Sequence, residues 1–213
     1  MKKYFAVLII SIVCYCNSSA QSFSLQNGSD LVYLVYGDTG ALNLHIFVES
    51  VTPDFKFAWI LNCKQEKNDT GMFTVAAKDL LTASTLWMNI DSSLKSGKGM
   101  TSFLLSKIMF DELGKDTVMK ATMKMGINST KKITMGEVTT NKDDIVINYS
   151  DYLVPVIVSK EMLDEKGKKI DEGKGAAIRF MNNPACPLIT YYQNKTGNFQ
   201  LVLVSANNVL YQK

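Results

Sequence analysis

The residues with the most chemical potential in this 213-residue chain are its methionines. Met119, Met123 and Met125 fall within an alternating run from Thr117 to Ile127, so on a strand they share one face, and Met135 lies across the following hairpin. Gathered thioethers have two functional uses, as soft ligands for Cu(I) or as pliable walls of a lipid cavity; the third outcome is an ordinary core filled with methionine. Copper sites usually add His or exposed Met-x-x-Met spacing, which this run lacks. The functional expectation is therefore a lipid or other apolar ligand, with Met119, Met123, Met125, Met135 and Phe103 as its wall.

Catalytic constellations are thinner. Ser92-Ser93-Leu94-Lys95, Ser150-Asp151 and Lys195-Thr196-Gly197 follow the motif order of penicillin-binding proteins and class A β-lactamases. That chemistry needs the serine to open a helix with its lysine one turn on. Here the pair sits in a Gly/Ser loop, Tyr152 replaces the expected Asn, and the intervening chain reads mostly as strand, so the match is assigned to chance. His45 is the only histidine, it falls on the polar face of a strand, and no Gly-x-Ser-x-Gly elbow accompanies it. Asp143-Asp144 and Asp111-Glu112 are adjacent carboxylates that diverge rather than converge as an acid/base pair. The expectation is a non-catalytic protein with no cofactor and no metal.

The elements that would position these residues are strands. Leu31–Tyr36 and Ala41–Glu49 alternate on either side of Gly-Asp-Thr-Gly, and Phe55–Cys63 follows with Phe55, Phe57, Trp59 and Leu61 on one face. Further strands are expected at Gly71–Ala77, Thr85–Ile90, Thr117–Ile127, Lys132–Thr139, Asp143–Tyr149, Leu153–Val158, Ala176–Asn182, Leu188–Gln193 and Phe199–Ala206. Pro155 predicts a strand start or an edge, and the charged stretch Lys160–Gly175 an exposed hairpin tip. The period changes only from Phe103 to Leu113, where a wide apolar stripe after Thr101 or Ser102 predicts one short helix, ended by Gly114. The expected fold is mainly β: a single-domain antiparallel meander of about eleven strands, a half-barrel or barrel around that helix, with a β-sandwich as the alternative.

The start of the chain reads as a signal peptide over residues 1–20, with Met-Lys-Lys, an apolar run too short to span a bilayer, and Ser18 and Ala20 before the cut. Residues 21–213 form the expected single secreted domain, periplasmic or extracellular, with no later membrane-length run. Losing Lys2 and Lys3 lowers the formal charge from +3 to about +1, and Arg179 is the only arginine, which excludes a basic nucleic-acid-binding face. Cys63 and Cys186 remain in a compartment that permits disulfides; they are either bridged or two buried thiols. With a single histidine they make no zinc set.

Leu31-Val-Tyr-Leu-Val-Tyr-Gly-Asp-Thr-Gly, Thr101-Ser-Phe-Leu-Leu-Ser-Lys, and Asn183-Pro-Ala-Cys-Pro-Leu-Ile-Thr-Tyr followed by Gly197-Asn-Phe-Gln-Leu-Val-Leu resemble a group of uncharacterised secreted β-proteins of Gram-negative bacteria. That group looks distantly like the periplasmic lipoprotein-carrier half-barrel, in which a curved sheet wraps a helix and encloses an apolar cavity. The resemblance implies a fold and no ligand residues. Two functions are carried forward: binding of a lipid or other apolar molecule in the concave side, and an envelope component that binds a protein partner and no small molecule.

Overall fold

The computed structural model describes residues 22–212 apart from 39, 63–67, 89–95, 116–117, 125–129, 164–165 and 172–173. The expected signal peptide, Cys63, Met125 and the Ser92/Lys95 match lie outside the described residues.

In chain order the strands are β1 (Ser22–Ser24), β2 (Asp30–Gly37), β3 (Gly40–Ser50), β4 (Phe55–Asn62) and β5 (Asp69–Val75), followed by helix α1 (Ala77–Thr82). Then come β6 (Thr85–Trp87), β7 (Met100–Thr101), helix α2 (Lys107–Gly114), β8 (Met119–Lys124), β9 (Thr130–Ile147) and β10 (Ser150–Leu163). The chain finishes with β11 (Ala177–Met181), β12 (Ile189–Gln193), β13 (Gln200–Asn207) and β14 (Leu210–Gln212). β1 pairs with β14; the other strands form one sheet in the order β5-β4-β3-β2-β13-β12-β11-β10-β9-β8-β6-β7, which sets aside the sandwich. A parallel contact of Ser205 and Ala206 with Val146 and Ile147 joins β13 back to β9. Strands β9 to β13 thereby close into a five-strand barrel, with the β2–β5 meander and β8, β6 and β7 extending from it.

Alternation drives this arrangement. Leu44, Ile46 and Val48 of β3 and Phe55, Phe57 and Trp59 of β4 are buried, while Asn43, Phe47 and Glu49 face out. Inside, aromatic rings form a connected chain: Tyr33 to Phe103 (5.3 Å between centroids), Phe103 to Phe57 (5.5 Å), Phe57 to Phe73 (5.7 Å) and Phe73 to Trp87 (4.6 Å). Phe73 belongs to β5, at one end of the sheet order, and Trp87 to β6, near the other. The sheet therefore curls until its ends meet, and a parallel bridge between Thr74 and Ser96 spans the same gap.

Four expectations need correction. The turn expected between Thr139 and Asp143 does not form: β9 runs unbroken for 18 residues, and the reversal comes at Asn148-Tyr149, both with positive φ (47° and 67°), directly between the paired Ile147 and Ser150. Such a two-residue turn matches the twist of its strands. The polar run Thr139–Lys142 looked like a turn because it is exposed; it is held extended by pairing with β10 from Val156 to Val158 and at Pro155. Pro155 is inside β10 rather than at its start. Its carbonyl accepts from the Asn182 N–H, so its missing donor faces the β11 side just where that ladder begins.

The helix starts later than expected. Phe103, with φ of 60°, Leu104 and Leu105 lie outside the helix, and Leu104 bridges to Leu188. Their apolar run reflects burial of all three side chains, which mimics a helical stripe. Ser106 is the cap of α2: its Oγ accepts from the Met109 N–H (3.3 Å) and donates to the Ala83 carbonyl (2.6 Å), tying the helix start to the end of α1. Helix α2 then sends Met109, Phe110 and Leu113 into the core. Helix α1 falls where the pattern slipped after Gly71–Ala77.

Trp59 stands opposite Gly71 across β4 and β5, and a Cβ at Gly71 would lie 2.6 Å from the indole. Gly71→Ala therefore forces the ring out of a filled core. It is expected to cost about 1–3 kcal/mol, read as a lowered urea midpoint with unchanged slope.

Candidate functional site

The structure brings Met119, Met123, Met135 and Phe103 together as core residues. Met119 and Met135 are direct partners across β8 and β9, and all four side chains are at most 5% exposed. Met125 is outside the described residues. The methionines pack the interior, and none of them lines the apolar cleft described next.

That cleft, of about 250 Å³, opens at the end of the sheet. Leu80 and Leu81 of α1 form one wall, Leu104, Leu105 and Lys107 the second, and Pro184, Ala185, Cys186 and Pro187 the third; Leu25, Val51 and Phe55 form the floor. Hydrogen bonds fix each wall. The Asn183 side chain donates to the Phe23 carbonyl (2.6 Å) and accepts from the Ala185 N–H (3.0 Å), which turns the 183–187 loop over β1. The Leu105 N–H donates to the Pro187 carbonyl and the Ile189 N–H to the Phe103 carbonyl, so two walls are stitched by backbone. Leu81 on the rim is 54% exposed. Among the sequence stretches singled out earlier, 101–107 and 183–191 meet here, and Tyr33 of the first reaches them by donating its hydroxyl to the Ile189 carbonyl (2.8 Å). Sequence reasoning missed the cleft because its walls come from a six-residue helix and two loop segments that are distant in the chain and too short to carry a periodicity.

Cys186 in the third wall is a free, buried thiol; Cys63, the partner considered for it, lies outside the described residues. Burial pushes its thiol from the ordinary 9.0 up to about 12, partly opposed by a hydrogen bond from the Leu25 backbone. Tyr33 is likewise raised well above the usual phenol range by burial, then by the nearby Cys186.

Two ion pairs were not anticipated. Arg179 Nη1 meets Asp143 Oδ1 at 2.8 Å, the other Asp143 oxygen accepts from Thr190 Oγ1 at 2.7 Å, and the guanidinium lies 4.8 Å over the Tyr191 ring. These contacts link β9 to β11 and β12, which are not its neighbours in the sheet, so they cross the closed ring. The second falls in the stretch expected as an exposed tip. Glu161 is buried, with Oε1 2.6 Å from Lys131 Nζ and Oε2 accepting from the Ala176 N–H at 3.1 Å. His45 lies as expected on the outer face, half-exposed, beside Asp30. Among the described residues, no three His, Cys, Asp or Glu side chains gather at one point.

Comparison with protein-family models, curated proteins and solved structures finds no match to this chain.

Two outcomes follow from these groups. Because the folded thiol of Cys186 holds its proton where an unfolded cysteine ionises, its contribution to stability is complete below pH 9.0 and is lost as pH rises toward about 12. The stability difference between the native chain and Cys186→Ala, measured by urea unfolding, is expected to shrink by about 1.4 kcal/mol per pH unit over that window. Lys131→Met leaves the Glu161 carboxylate buried without its cation. Unfolding is expected to become easier by about 3–5 kcal/mol, and adding Glu161→Gln to recover most of that loss.

Proposed function

We propose that this is a non-catalytic secreted or periplasmic protein that binds an apolar group, the end of an acyl chain or a molecule like it, in the cleft beneath α1. The observation that supports this reading is the cleft itself: a solvent-open space with leucine, valine, phenylalanine and proline walls fixed by backbone hydrogen bonds. Apolar surface left open to water carries a free-energy cost that a bound apolar group removes. Its volume of about 250 Å³ is at the small end for ligand sites, so it suits part of a ligand. At about 0.8 kcal/mol per buried methylene, a tail of roughly six carbons gains about 5 kcal/mol before the cost of immobilising it. Lys107 is on the rim, but its ammonium is already paired with Asp111 at 2.9 Å, so the site selects by shape and apolarity more than by charge. No helix among the described residues is long and apolar enough to cross a membrane.

Displacement of a fluorescent fatty acid tests the proposal. Leu81→Lys, at an exposed rim position of α1, is expected to weaken binding by about tenfold or more without unfolding the protein, while Leu210→Lys, equally exposed and outside the cleft, leaves it unchanged. Absence of probe binding would sink the proposal and leave the other reading, an envelope component that binds protein only. Equal binding by both variants would move the ligand elsewhere.

A further inference from the structure

Where the two ends of the sheet meet, the surface holds a second recess, of about 400 Å³, distinct from the apolar cleft. Thr74 of β5, Lys78 and Asp79 of α1, and Ser96 and Lys98 ahead of β7 line it. Helix α1 borders both spaces: Leu80 and Leu81 line the cleft, whereas Lys78 and Asp79 line the recess. One space is apolar, and the other is walled by hydroxyl and charged residues.

Asp79 sets the chemistry. It is 4% exposed, so it is largely withdrawn from water. Its N–H donates to the Ala76 carbonyl (2.8 Å) and its own carbonyl accepts from the Ala83 N–H (3.0 Å), so its main chain is used within α1 and its side chain is what borders the recess. Among the described residues no donor and no cation pairs with that carboxylate. A buried carboxylate in that state is costly, and donors or a positive charge brought to it offset the cost. Lys78 and Lys98 are exposed, and neither makes an ion pair among the described residues. The recess therefore combines a sunken acceptor with two exposed ammonium groups and two hydroxyl residues.

We propose that this recess binds a small zwitterion that carries a primary ammonium and a phosphate on a short linker. The ammonium supplies the N–H donors and the positive charge that Asp79 lacks. An anionic group with several acceptor oxygens suits two lysines and two hydroxyl residues at once, which favours phosphate over carboxylate. One carboxylate beside two ammonium groups is a poor site for a bare metal ion, which both lysines would repel. The same chemistry occurs in a free phosphorylated amine and in the headgroup of an ethanolamine phospholipid. The competing arrangement is internal, with the ammonium of Lys78 or Lys98 swinging in to pair with Asp79.

The test uses the purified full chain and O-phosphoethanolamine. This probe is expected to raise the urea midpoint and to saturate calorimetrically at one per chain. Inorganic phosphate and ethylamine, each holding half of the chemistry, bind at least about tenfold more weakly. Asp79→Asn keeps the side-chain shape, so the variant folds with a urea midpoint no lower than the native one, yet it loses about tenfold or more in affinity for the probe. Lys98→Met weakens binding as well. Vesicles containing phosphatidylethanolamine distinguish the two sources. Retention of the native chain but not of Asp79→Asn assigns the site to a lipid headgroup, and binding of the soluble probe without retention assigns it to a free solute. The probe has no acyl chain, so its result is separate from that of the fatty-acid displacement. Binding to neither probe nor vesicles, or probe affinity unchanged in Asp79→Asn, would overturn the proposal. A urea midpoint lowered by Asp79→Asn in plain buffer would overturn it in favour of the internal pair.

Discussion

The buried hydroxyl of Tyr33 and the carbonyl of Ile189, 2.8 Å apart, form the contact on which the interior depends. A phenol this deep must have a partner, because leaving it unpaired would cost about 1–3 kcal/mol of desolvation. Its partner residue is itself held through its N–H by the Phe103 carbonyl, and the Phe103 ring closes on Tyr33. Strand β2, strand β12 and the segment before α2 are locked together by two hydrogen bonds and one ring contact. The positive φ of Phe103 belongs to that lock: it directs the ring inward while Leu104 still bridges to Leu188.

From this centre the aromatic chain runs outward to Phe57, Phe73 and Trp87, and the loop at Asn183–Pro187 is fixed on the other side. The cleft is the space left where these two directions diverge. Helix α1 covers one flank of it and the 183–187 loop another.

What the sequence made legible was whatever a single strand decides for itself. The alternation of Leu44, Ile46 and Val48, or of Phe55, Phe57 and Trp59, needs no partner to be read, and the burial follows it. The unbroken course of β9 was not legible, because Thr139–Lys142 are exposed and only the facing strand keeps them extended. Phe103–Leu105 misled for the opposite reason, being buried on every side. Of the candidate site, Met119, Met123 and Met135 are buried on β8 and β9, and depth alone does not separate a packed interior from a binding wall. Glu161 and Asp143 were hidden among surface-like charges, since a carboxylate's partner on a distant strand leaves no trace in local spacing.

Phe73 against Trp87, with a bridge from Thr74 to Ser96, joins the two ends of the large sheet in a seam. Two aromatic faces meet there, whereas β2 to β5 are joined by main-chain ladders. Edge strands left open are templates for pairing with other chains, and the seam covers that liability by folding the sheet's two borders onto each other. Separation along this line would uncover the edge of β5.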